Sequence, residues 1–242
     1  MQSPNNETQT ASEYLSRCPY QNLCGDVVCS PWGMMPVDKP DLNGKRLLIV
    51  GLNGNDSSDY GSWEHRTRKE SSDALRELLR KDIQMGSYRC LSNLMEPVAR
   101  FLTGGKDKSS PLAALDHLTW CNVISCCPAP DADGKLPPSS RPTKSMYQNC
   151  LKRLLSDDGH CELLNRLLLI RPTHVLVVGR DAESFWKRGS CPGKALGDVL
   201  NQIQPKPLVA FVLHPSLGWQ RRYPRREDYW EHVVSELSGS RA

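Results

Sequence analysis

Four short runs rich in apolar residues, with little polar alternation, constrain this chain more than anything else in it. They are Arg46-Leu-Leu-Ile-Val50, Leu118 to Cys126, Thr173-His-Val-Leu-Val-Val178 and Leu208-Val-Ala-Phe-Val-Leu213. A strand that alternates apolar with polar residues has one wet face, whereas an unbroken run belongs to a strand covered on both faces. Helical spacing fills the intervals: Ala74, Leu75, Leu78 and Leu79 within 71–81, started by Ser71 or Ser72, then 91–103, 143–155, 161–170, a helix from about Asp181, and 226–238. A shorter helix is expected over 12–17, ahead of a cysteine-rich loop at 18–29. Strands alternating with helices predict a three-layer α/β/α sandwich around a central, mainly parallel four-stranded sheet. In such sheets ligands collect at the carboxyl ends of the strands. Asn53, Asn122 and His214 all fall at such ends.

Length and charge bound the alternatives. The 242 residues suit one domain, expected over 13–242 behind a flexible arm at 1–12. No apolar run approaches the roughly 20 residues of a membrane span, and residues 1–12 lack the basic and apolar regions of a secretory signal. The chain therefore reads as cytoplasmic and, in the simplest case, a monomer. A net charge of +4 does not by itself call for nucleic acid, but Arg221, Arg222, Arg225 and Arg226 are crowded together. Ten cysteines in a reducing compartment point to metal ligation or core filling rather than disulfides.

The crowded arginines follow a distinctive turn. His214-Pro215-Ser216 leaves the fourth apolar run, and Leu217-Gly-Trp-Gln-Arg-Arg222 comes next. Proline fixes the backbone and serine bonds it locally. A hydrogen-bond donor, an apolar wedge (Leu217 or Trp219) and phosphate-binding cations (Arg221, Arg222) are the equipment of a protein that draws a base out of DNA. The alternative for the histidine alone is a structural role at a strand end. Gly51 to Asp56 is neither a dinucleotide nor a P-loop fingerprint.

From about Cys18 onward the chain resembles the uracil-DNA glycosylase superfamily. The strand entering Gly51-Leu52-Asn53-Gly54 resembles its first motif, and His214-Pro215-Ser216 resembles its last. The iron-sulfur branch carries a strand of the form Asn-Val-Val-Lys-Cys-Arg-Pro, to which Asn122-Val-Ile-Ser-Cys-Cys-Pro128 is similar. That branch also has a cysteine on the next helix, as at Cys150, and an Arg-Pro-x-x-Val-x-x-x-Gly strand, as at Arg171 to Gly179. One departure concerns the first motif, where the family's proline is replaced by Gly54-Asn55-Asp56. That proline helps shape the pocket against substituents on the base, so the base removed stays open.

The resemblance implies a monofunctional glycosylase that hydrolyses the bond between a flipped pyrimidine and its sugar. Asn53 would orient the water, with Asp56 or Asp59 assisting as electrostatic stabiliser or weak base, unless both are ordinary turn residues. A neutral His214 would steady the anion of the departing base. Asn122 would read the base's pairing edge, and Trp63 or Tyr60 would stack on it. Ser216, Leu217, Trp219, Arg221 and Arg222 would meet the DNA. Four thiolates would hold a four-iron, four-sulfur cluster: Cys126 and Cys150 with Cys18 and Cys24, Cys29 being the alternate, and zinc the other metal such thiols suit. In a sharper variant the relaxed first motif would admit a bulky modified cytosine of phage DNA, which would make this a defence enzyme. A DNA-binding protein that has kept the fold without the activity is the contrasting class.

Overall fold

The computed structural model of the chain describes residues 8–25, 27–29, 33–36, 41–52, 65–86, 93–104, 111–124, 126–128, 142–156, 161–215 and 222–239. In chain order its elements are α1 (Ala11–Ser16), β1 (Val27–Cys29), β2 (Asp41–Leu42), β3 (Lys45–Gly51), α2 (Arg68–Gln84), α3 (Met95–Thr103) and α4 (Pro111–Leu115). There follow β4 (Thr119–Asn122), β5 (Cys126–Pro128), α5 (Lys144–Ser156), α6 (Glu162–Ile170), β6 (His174–Val178), α7 (Arg180–Gly189), α8 (Ala195–Gln202), β7 (Leu208–Val212) and α9 (Arg226–Leu237).

The four expected strands form a parallel sheet in the order β4-β3-β6-β7, and the two-residue β2 folds back on β3 as a fifth, antiparallel strand. Successive side chains of a strand point to opposite faces. Leu48, Val50, Cys121, Val175 and Val177 therefore pack under α1, α5, α6, α7 and α8. Leu47, Ile49, Trp120, Leu176, Val178, Ala210 and Val212 pack under α2, α3, α4 and α9. Both faces of the sheet are dry, which is why the runs read as continuous rather than alternating, and the α/β/α layering follows.

Four expectations need correcting. The second apolar run is not one strand to Cys126. It leaves the sheet after Asn122, where Val123 and Ile124 donate back to the carbonyls of Gly51 and Leu52. Cys126 lies instead on β5, which pairs antiparallel with β1 in a separate two-stranded sheet. Helix α2 starts at Arg68 rather than near Ser71, because Thr67 caps it in a reciprocal box with Glu70. Structure also begins inside the expected arm: Thr10 caps α1 and Ala11 is fully buried. Helix α8 was not anticipated.

A buried ion pair ties two helices together beyond the hydrophobic contacts. Glu162, at the first position of α6, accepts from Arg68 of α2 at 2.9 Å and from Arg166 of its own helix at 2.6 Å. All three side chains are 6% exposed or less. Removing the carboxylate would leave two guanidinium charges in a low-dielectric interior, which costs far more than the pair contributes when intact. Glu162→Gln is expected to lower the free energy of unfolding by about 3–5 kcal/mol, read from urea denaturation. An unchanged midpoint would contradict this account of the pair.

Candidate active site

The carboxyl ends of β3, β4, β6 and β7 lie along one edge of the sheet. Gly51 and Asn122 are the final register pair between β3 and β4. The Asn122 side chain is 6% exposed and its Oδ1 accepts a 3.3 Å hydrogen bond from the indole Nε1 of Trp120. An indole nitrogen only donates, so the amide must turn its oxygen toward the tryptophan. Gly51 makes the arrangement possible, since a Cβ there would stand 2.7 Å from Asn122 Oδ1. Asn53 begins one residue beyond Leu52, whose carbonyl accepts from Ile124.

His214 is the second predicted residue on this edge, exposed two residues after β7. Its turn is braced from outside the sheet. The Tyr229 hydroxyl donates to the Leu213 carbonyl at 2.9 Å, and Asn93 Nδ2 donates to the Pro215 carbonyl at 3.4 Å. Asn93 is itself held by the Trp230 indole, which donates to its side-chain and backbone oxygens at 3.0 Å. Burial pushes the Tyr229 hydroxyl strongly upward in pKa, so it stays a donor. Between the two halves of the edge stands Gly179, in a backbone conformation of φ +93° that favours glycine, donating to the Val212 carbonyl and placed so that a Cβ there would stand 3.6 Å from His214 Cβ. Arg222 is exposed, its guanidinium over the Tyr223 ring. Arg225 is engaged with Asp228 at 2.6 Å.

Asn53, Asp56, Asp59, Tyr60, Trp63, Ser216, Leu217, Trp219 and Arg221 lie outside the described residues. Leu52 and Pro215, the described residues that precede them in sequence, follow β3 and β7 closely at this edge. Sequence reasoning missed Gly51, Trp120, Gly179, Asn93, Tyr229 and Trp230 as supports of the edge. The tyrosine and tryptophan sit on a helix whose spacing marks them simply as core, and nothing local joins them to a turn 15 residues upstream.

The predicted metal ligands behave differently from the edge residues, because all four reach one place. Cys18, Cys24, Cys126 and Cys150 line one small cavity of about 10 Å³ together with Tyr14, Asn149 and Arg153. Cys24, Cys126 and Cys150 are buried and Cys18 is half-buried. Asn149 Nδ2 donates to Cys24 Sγ and Arg153 Nη1 to Cys18 Sγ, each at 3.5 Å. Burial pushes the Cys24 thiol up against the Asn149 hydrogen bond, and nearby Cys150 and Cys18 add to the rise. As they stand, no three His, Cys, Asp or Glu side chains among the described residues converge closely enough to hold an ion. Cys29 is placed by its backbone opposite Cys126 on β1, and its side chain lies outside the described atoms.

Among the described residues no helix is long and apolar enough to cross a membrane. In comparisons with known proteins, no family model matches the chain and no curated protein matches it.

Gly51→Ala tests the notch under Asn122. The fold should survive at a cost of about 1–3 kcal/mol, while the Trp120 indole N–H resonance moves upfield as its hydrogen bond is lost. An unmoved resonance in a folded Gly51→Ala protein would show that the glycine does not set the amide's position.

Proposed function

We propose that this protein is a DNA glycosylase related to the uracil-DNA glycosylases, hydrolysing the N-glycosidic bond of a flipped uracil or modified pyrimidine to leave an abasic site. The observation that carries the reading is the placement of Asn122 and His214 on one carboxyl edge of a parallel sheet, each with its own bracing. Cleavage leaves negative charge on the departing base and positive charge on the sugar, so the enzyme gains most from groups aimed at the developing charges. His214, held by its braced turn, donates to the base anion. Asn122, its amide fixed by Trp120, bonds the pairing edge and holds the base in place. Asn53, with Asp56 or Asp59, orients the attacking water, and the segment from Ser216 to Arg222 engages the duplex or single strand.

The cavity supports a second part of the proposal. Four thiols and two buried hydrogen-bond donors are a donor set that fits a four-iron, four-sulfur cluster, held by Cys18, Cys24, Cys126 and Cys150. When bound, such a group supplies a rigid cross-link between the 18–24 segment, β5 and α5. Anaerobically purified protein is expected to absorb broadly in the visible and to carry about four irons per chain. A colourless protein holding one zinc would replace the cluster with a zinc site, and a metal-free protein would overturn the metal reading.

The missing proline after Asn53 leaves room in the reading for a base larger than uracil, glucosylated hydroxymethylcytosine being the bulkiest test, and a role in defence against phage would follow if it is cleaved. Single-stranded oligonucleotides carrying uracil, hypoxanthine or glucosylated hydroxymethylcytosine, treated with alkali after incubation, distinguish these substrates. Cleavage is expected at a pyrimidine, and His214→Ala should slow it about 10²–10³-fold. If no strand acquires an abasic site while the protein still binds DNA, the enzyme reading fails and a DNA-binding protein that keeps the fold takes its place.

A further inference from the structure

Helix α5 contributes more to the cavity than Cys150. Asn149 and Arg153 stand four residues apart on it, so they share a face one turn from each other. Both are 6% exposed. Each reaches a thiol carried by a different part of the chain: Asn149 bonds Cys24, and Arg153 bonds Cys18 while a second nitrogen donates to the Tyr14 hydroxyl of α1 at 3.2 Å. One helix therefore holds one predicted ligand directly and addresses two others through donors.

The chemistry of those bonds depends on what the sulfurs carry. A protonated thiol is a weak acceptor, whereas a metal-bound thiolate keeps negative charge and accepts strongly. Guanidinium can only donate, and it brings a full positive charge to the wall of a site whose ligands are four anions. Donors to ligating atoms fix ligand orientation and tune the metal they serve. A merely structural Arg153 would link α5 to α1 and would leave the metal's behaviour unchanged once the protein had folded.

We propose that Asn149 and Arg153 are positioning residues for the metal centre, setting how firmly the thiolates retain it and at what potential it is reduced. This rests on the metal reading above. The test uses the full chain, loaded anaerobically with iron and sulfide, with metal release to a chromogenic chelator followed by visible absorbance and the midpoint potential taken by spectroelectrochemistry. Arg153→Gln and Asn149→Leu are each expected to release metal about 10–100-fold faster and to move the potential to lower values, because sulfur-directed hydrogen bonds favour the more negative, reduced centre. Arg153→Lys, which keeps the charge, should recover part of the potential shift. Lys152→Gln, an exposed neighbour on the same helix, should behave as the parent.

The outcomes separate cleanly. A parent protein that takes up no metal defeats the underlying reading. A loaded parent whose variants release metal at its own rate and potential overturns the roles of Asn149 and Arg153 while the metal site stands. Should Arg153→Gln fail to fold, Asn149→Leu and Arg153→Lys decide the matter by the same two readouts.

Discussion

The parallel register of β3 against β4 and β6 levels the strand ends, and the rest of the proposed site depends on that levelling. Pairing of Gly51 with Asn122 and of Val50 with Val177 brings three strands to a common edge, and β7 extends it through Val178 opposite Val212. A slip by one residue would turn Asn122 into a core face and replace it with Cys121. The two hydrophobic layers resist such a slip, because every inward residue from Leu47 to Val50 is fully buried on one side or the other. The chemistry at the edge is thus positioned by burial far below it.

Two kinds of support act above this base. Asn122 is held from beneath by a neighbour on its own strand, over a glycine that leaves room for it. His214 is held from the side by residues of α9 and by Asn93, which reach the carbonyls flanking it rather than the imidazole. Bonding the backbone on either side fixes where the ring starts. The thiol-lined cavity lies apart from both, reached through β5, which continues the chain only a few residues beyond Asn122.

The core strands were legible because strands covered on both faces leave apolar runs, and their ends put Asn122 and His214 on one edge before any geometry was known, while the four cysteines were grouped by the resemblance alone. Other features were hidden for physical reasons. Val123 and Ile124 stay apolar while the chain turns out of the sheet, so the run of residues concealed the corner. The Thr67-x-x-Glu70 capping box was present in the sequence, yet the first apolar residues drew the expected start of α2 too late. Strands β1 and β5 are three residues each, too short for any period to show. The bonds from Asn149 and Arg153 to the cysteine loop span 125 and 135 residues and are products of folding alone.

The central claim is that the carboxyl edge of the sheet receives DNA. Chemical-shift mapping with a single-stranded oligonucleotide containing an abasic-site analogue, in the presence of free pyrimidine base, tests it directly. The account predicts that the Trp120 indole, the Asn122 amide and the His214 ring shift together at saturation. Shifts confined to the open groove along α7 lined by Arg180, Glu183, Lys187, Arg188 and the following Cys191, with the sheet edge silent, would contradict it.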